Sequence, residues 1–230
     1  MPKQLGRVHV VADREDPDGG YVTERLAERG GELVDVDRAD LPVFADLGES
    51  SLVLLLGSDR SAHDPKESSV VLAESRLVLA ALGAGVPVIG ICYGAQLMAR
   101  AFGGTSWRAD AAELGWQRVD TDDPVLCPEG PWGQMHKDVF APGPTSRVIG
   151  TSWRGPQCML DDSFGARSIA WQFHPEVTPE TYERWVRAGY FGDTNTDPDD
   201  LIRQAYDHAA RSRNLAHRLV DDALAYVQVE

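Results

Sequence analysis

The chain has 230 residues, 43% of them hydrophobic, and a formal net charge of -14 from 36 acidic against 22 basic side chains. That length and apolar content suit one α/β domain, alone or with an appendage, and exclude disorder as the dominant state. The acidity excludes electrostatic capture of a nucleic-acid backbone, and no apolar run is long enough to span a bilayer.

Cys92, Cys127 and Cys158 are an odd, sparse set that argues against a disulfide framework. The N-terminal residues lead into a strand-like run without the apolar core of a signal peptide, so a cytoplasmic location is expected. Neither nucleic acid nor membrane is expected as a partner.

In chain order, residues 5–12 read as a first strand, 20–29 as a helix, and 32–36 as a second strand. Residues 51–56 are almost continuously apolar, as in a strand buried on both faces. A polar loop, 57–64, follows. Apolar residues then recur at helical spacing over 66–84 (Val70, Leu77, Ala81), and Gly83 and Gly85 stop that helix. Strands alternating with helices imply a mostly parallel sheet with right-handed crossovers.

Residues 86–91 form another buried strand that ends at Cys92, where a helical pattern begins at once and runs to Gly103-Gly104. Gly90 and Gly94 bracket the cysteine as Gly-x-Cys-x-Gly, the thiol counterpart of a nucleophile elbow. A strand-to-helix turn this tight has no room for flanking Cβ atoms. A cysteine at a helix N-terminus also feels the positive end of the helix dipole, which favours the thiolate. The competing reading is a buried cysteine in an ordinary βα turn.

Beyond Gly104 the texture changes to short β-rich pieces broken by Pro, Gly and Asp, up to residue 173. Hairpins or a small antiparallel extension are expected there. Residues 168–173 read as a strand leading into His174-Pro175-Glu176. Pro175 forces His174 into extended backbone, where residues two apart project to one side, so His174 and Glu176 face one site. A carboxylate on one ring nitrogen fixes the tautomer of the imidazole and leaves the other nitrogen to act as a base.

Thr178-Pro179 marks the start of a helix to about residue 188, and Asp197-Pro198 the start of a last segment. There an apolar stripe from Leu201 to Tyr226 predicts one long helix, or two with a break, packed on the domain or on a second subunit. The expected division is 1–192 for the main domain and 193–230 for a C-terminal helical extension. His208 and His217 are read as surface or packing residues. Cys127 and Cys158 lack metal-like spacing and are read as structural.

Taken together, these stretches resemble the class I, or triad, glutamine amidotransferases, with the amidotransferase half of GMP synthetase the most similar in flavour. Gly57-Ser58-Asp59 sits where that family has its oxyanion loop, Gly90-Ile91-Cys92-Tyr93-Gly94-Ala95-Gln96 at the nucleophile, and Phe173-His174-Pro175-Glu176 at the His-Pro-Glu motif. Glu113-Leu114-Gly115-Trp116 and Met135-His136-Lys137-Asp138 resemble two segments that border the glutamine pocket. The order of all five is that of the family.

The resemblance implies a mostly parallel, flavodoxin-like central sheet flanked by helices. It implies Cys92, His174 and Glu176 as a catalytic triad, and an oxyanion hole from Tyr93 with Gly57 or Ser58. It implies Gln96, Glu113, His136 and Phe173 as substrate-binding residues. No cofactor and no metal are implied. Glutamine would be cleaved through a γ-glutamyl thioester, and ammonia would pass to a separate synthase. A homodimer is a further partner state left open.

Two departures stand out. Ser58 replaces a glycine of the oxyanion loop, and Met135 and Lys137 replace a serine and a glycine of the pocket segment. The second change removes a hydrogen bond available to relatives and keeps an alternative open, a hydrolase of γ-glutamyl amides or peptides with the same triad. A catalytically silent binding module is a third reading, opposed by the presence of all three triad residue types.

Overall fold

The computed structural model describes residues 5–43, 50–190 and 196–227. The expected division at 192/193 lies outside the described residues. The first half alternates as expected: β1 (Arg7–Ala12), α1 (Gly20–Glu28), β2 (Glu32–Asp37), β3 (Ser50–Leu55), α2 (Ser68–Gly83), β4 (Val88–Ile91) and α3 (Tyr93–Ala101). Then come β5 (Thr105–Gln117), β6 (Asp120–Thr121), β7 (Trp132–Ala141), β8 (Arg147–Ser152), β9 (Gly155–Asp161) and β10 (Ser168–Trp171), followed by α4 (Pro179–Ala188) and α5 (Pro198–Val227).

The main sheet has the order β2-β1-β3-β4-β10-β9-β8-β6. Its first five strands are parallel, and β9, β8 and β6 continue it antiparallel. β5 and β7 form a separate antiparallel ribbon, longer than the short pieces the Pro- and Gly-rich sequence suggests. After β2 the chain returns to the other side of β1, so the winding reverses between β1 and β3. A crevice forms beyond the carboxyl ends of such strands, and doubly wound sheets bind ligands there.

Period-two alternation along the buried strands divides the core into two faces. Val8, Val10, Leu52, Leu54, Ile89, Ile91, Ile169 and Trp171 pack under α1 and α5. Val11, Val53, Leu55, Val88 and Ala170 pack under α2 and α3. Helix α3 is buried over Tyr93–Ala99 because the sheet lies on one side and the β5–β7 ribbon on the other.

The apolar stripe of the last segment becomes one continuous helix. Its second half lays Ala216, Leu219, Val220, Ala223 and Leu224 on the sheet core. Its first half packs Leu201 and Ala205 with Trp116, Tyr182 and Trp185, and Ser212 Oγ accepts from Trp116 Nε1 at 2.9 Å. Among the described residues, no helix is long and apolar enough to cross a membrane.

Candidate active site

Cys92 occupies the junction of β4 and α3 with φ 52° and ψ -106°, the single positive φ of a described non-glycine residue. The two glycines explain how the turn closes. A Cβ on Gly94 would lie 2.5 Å from the Leu55 carbonyl, and one on Gly90 would lie 2.5 Å from Met98 Sδ. The cysteine N–H donates to Trp171 O at 2.8 Å, which ties the elbow to the end of β10.

His174 arrives from β10 on the same edge. Its backbone N–H donates to Gly133 O at 2.9 Å, and its ring lies edge-on to Trp185, 5.0 Å between centroids. Nδ1–H donates to Glu176 Oε1 at 2.7 Å, and both side chains are buried. Nε2 is buried without a hydrogen-bond partner and faces Cys92. Burial alone would push the imidazole pKa down, but the Glu176 carboxylate and the Cys92 sulfur outweigh it and hold it well above the usual histidine range. Glu176 is fixed in turn by α1, whose Tyr21 N–H donates to its carbonyl at 2.9 Å. Only glycine fits at position 20, where φ is 42° and any Cβ would strike that carbonyl.

A cavity of about 380 Å³ opens at this edge, lined by Gly57, Ser58, Cys92, Met135, His174 and Glu176, with acidic residues and Trp185 on its rim. Gly57 packs against the pair: a Cβ there would sit 3.3 Å from His174 Cε1 and 3.7 Å from Cys92 Cβ. The Ser58 side chain turns away and donates to Asp13 Oδ2 at 2.5 Å, while accepting from Arg60 N at 3.1 Å. Tyr93 opens α3, and the first N–H groups of a helix have no partner within it.

None of the four residues assigned to substrate contact by resemblance lines this cavity. Phe173 is fully buried in the sheet core, stacked on Trp132 at 4.7 Å. Glu113 accepts from Ser152 Oγ and Gln157 Nε2, each at 2.9 Å, and lies 3.2 Å from His136 Nε2. His136 also contacts Asp138 O at 3.1 Å and Gln134 Oε1 at 3.0 Å. Gln96 Nε2 donates to Asp138 O at 3.1 Å and to Gln172 Oε1 at 3.3 Å. For His136 the physical reason is strand parity: Met135 faces the cavity, so its neighbours Gln134 and His136 face the interior.

Residues that the motifs did not single out complete the surroundings. Gln172 Nε2 donates to Cys92 Sγ at 3.6 Å. Arg38, fully buried, donates to Glu74 Oε1 at 2.5 Å, Asp13 Oδ2 at 2.7 Å, Leu56 O at 3.0 Å and Gly57 O at 3.4 Å. Its guanidinium also lies over the Tyr93 ring, 4.7 Å from the centroid. One sequence signal existed, since Glu74 stands on the apolar face of α2 between Val71 and Leu77.

A cysteine on a strand-to-helix elbow, beside a histidine oriented by a glutamate, at the carboxyl edge of a doubly wound sheet, is a Cys-His-Glu constellation on an amidotransferase-type fold. Residues 63–191, more than half of the chain, match the family model described as Glutamine amidotransferase class-I, and the chain belongs to that family. Among similar curated proteins are glutamine-hydrolyzing GMP synthases. The one from Parafrankia sp. (strain EAN1pec) is 35% identical over 145 residues, 60% of this chain and 26% of that protein. One from Thermus thermophilus is 32% identical over 177 residues, 71% of this chain and 33% of that protein. The chain thus spans about a quarter to a third of the length of these relatives.

Among solved structures, a glutamine amidotransferase from Thermotoga maritima superposes with TM-score 0.82 at 24% identity, covering 96% of this chain and 98% of the other. One from Methylobacillus flagellatus gives 0.77 at 22%, covering 99% and 96%. These likenesses show the fold.

Proposed function

We propose that this chain hydrolyses the side-chain amide of glutamine on Cys92 and supplies the ammonia to a synthase outside this sequence. The observation that carries the reading is the His174–Glu176 pair at 2.7 Å, with the free Nε2 turned to a cysteine on a positive-φ elbow. The geometry supports the following chemistry. His174 already holds the proton given up by the Cys92 thiol, and the thiolate attacks the amide carbon. The tetrahedral oxyanion is met by the Tyr93 N–H at the start of α3 and by an N–H of the Gly57-Ser58 loop. His174 returns its proton to the departing nitrogen, ammonia leaves, and water hydrolyses the γ-glutamyl thioester to glutamate. The GMP synthase relatives support a nucleotide synthase as the consumer of ammonia.

A second reading, hydrolysis of substituted γ-glutamyl amides, is favoured by one feature. Met135 stands in the cavity wall and has no hydrogen bond to offer a substrate's α-substituents. Purified protein incubated with glutamine and with a set of γ-glutamyl amides, with Cys92→Ala as control, separates the two. Glutamate release from glutamine alone supports the amidotransferase; release from substituted amides alone supports the hydrolase. No Cys92-dependent release from any of them, with a candidate synthase present, refutes both.

A further inference from the structure

Arg38 lies beneath the Leu56-Gly57-Ser58 loop, on the side away from the cavity, with its side chain wholly buried. Two consecutive carbonyls, Leu56 O at 3.0 Å and Gly57 O at 3.4 Å, accept from its guanidinium. In a trans peptide the N–H points opposite to the C=O, so the N–H groups of Gly57 and Ser58 are turned from Arg38 toward the cavity. Successive N–H groups turned one way make a small anion-binding concavity. The same guanidinium packs on the ring of Tyr93, whose own N–H opens α3 beside Cys92, and the Tyr93 hydroxyl donates to Glu74 Oε2 at 2.6 Å. One buried cation therefore contacts both the loop and the Tyr93 side chain, the two segments that would supply the oxyanion hole.

We propose that Arg38, backed by Glu74 and Asp13, is a positioning residue that holds the loop with its N–H groups facing the tetrahedral intermediate. The proposal rests on the hydrolytic reading above. It also assigns a purpose to an otherwise costly arrangement: burying an ion pair gains little over apolar side chains of similar volume. Here the planar fork of arginine reaches two carboxylates and two carbonyls at once, which a lysine ammonium does not.

The test compares wild type with Arg38→Lys and with the apolar replacement Arg38→Met/Glu74→Leu, the latter keeping the interior packed without a stranded charge. Three readouts are taken on each: kcat and KM for glutamate release, the affinity for glutamate γ-semialdehyde, whose thiohemiacetal places an oxyanion in the hole, and the rate of Cys92 alkylation by iodoacetamide, which forms none. One lost oxyanion donor lowers kcat about 10²–10³-fold. Both variants are expected to lose at least tenfold in kcat and in aldehyde affinity, with KM and alkylation within about threefold of wild type. Recovery of kcat in a stable double variant makes Arg38 merely structural and overturns the proposal. So does a parallel fall in alkylation. A wild type that neither releases glutamate nor binds the aldehyde removes the hydrolytic reading and this proposal together, whereas unchanged variants of an active wild type remove this proposal alone.

Discussion

Replacing Glu176 by Gln isolates one contribution to the state of His174. The amide keeps the shape and an oxygen at the position that receives Nδ1–H at 2.7 Å, but removes the charge. Burial works against the imidazolium, and Glu176 and Cys92 together overcome it. An opposite charge this close moves a pKa by about 1–3 units, so the variant loses at least about 1.4 kcal/mol of imidazolium stabilisation. That is a fall of at least about tenfold in the ratio of imidazolium to imidazole at any given pH.

The sign is fixed. His174 carries a raised pKa in the wild type, so its proton is present at neutral pH and is lost only as pH rises through that raised value. In the proposed hydrolysis, protonation of the leaving nitrogen uses that proton, so the alkaline limb of kcat/KM is expected to follow it. In Glu176→Gln the limb moves toward neutral pH, and the ring carbon shifts of His174 followed by NMR titrate with it. A limb that stays in place, or moves upward, refutes the role assigned to the carboxylate.

Two other outcomes are expected. Cys92→Gly should be more stable to urea than Cys92→Ala by about 1 kcal/mol. Relief of about 1–3 kcal/mol of strain at φ 52° exceeds the extra chain entropy of glycine, about 0.5–1 kcal/mol; a glycine variant less stable than the alanine one by about that entropy cost would show that the elbow carries no strain. Phe173→Leu should lose about 1–3 kcal/mol of stability, because the ring is fully buried on Trp132, and leave KM within about twofold. A raised KM with unchanged stability would support the substrate contact that the resemblance assigns to Phe173.

What was legible in the sequence was local. The elbow around Cys92, the helix starts at Thr178 and Pro198 and the His174-x-Glu176 spacing all depend on neighbours in the chain, and periodicity or turn chemistry reports such features directly. The strand ends fall within a residue or two of their expected places. The pocket was not legible in the same way. Which of Gln134, Met135 and His136 faces the cavity is set by how β7 pairs with β5, Glu113 opposite His136, and pairing register is not written in either strand alone. Gln96 and Glu113 were assigned by their place in motifs, yet their partners, Asp138, Gln172, Gln157 and Ser152, come from four other segments. The cluster of Arg38, Asp13 and Glu74 is likewise drawn from three separated elements. Only the glutamate on the apolar face of α2 announced it.

The place of β10 has a kinetic consequence. It is the last strand among the described residues yet lies inside the sheet, parallel to β4 and antiparallel to β9. Its insertion is a long-range closure of the kind that slows folding. It is also the step that brings His174 to Cys92. During refolding, therefore, glutamate release should appear in the same phase that completes the sheet. An intermediate with β1 to β4 assembled would hold the thiol in its elbow without the base, so incompletely folded copies would not run the reaction.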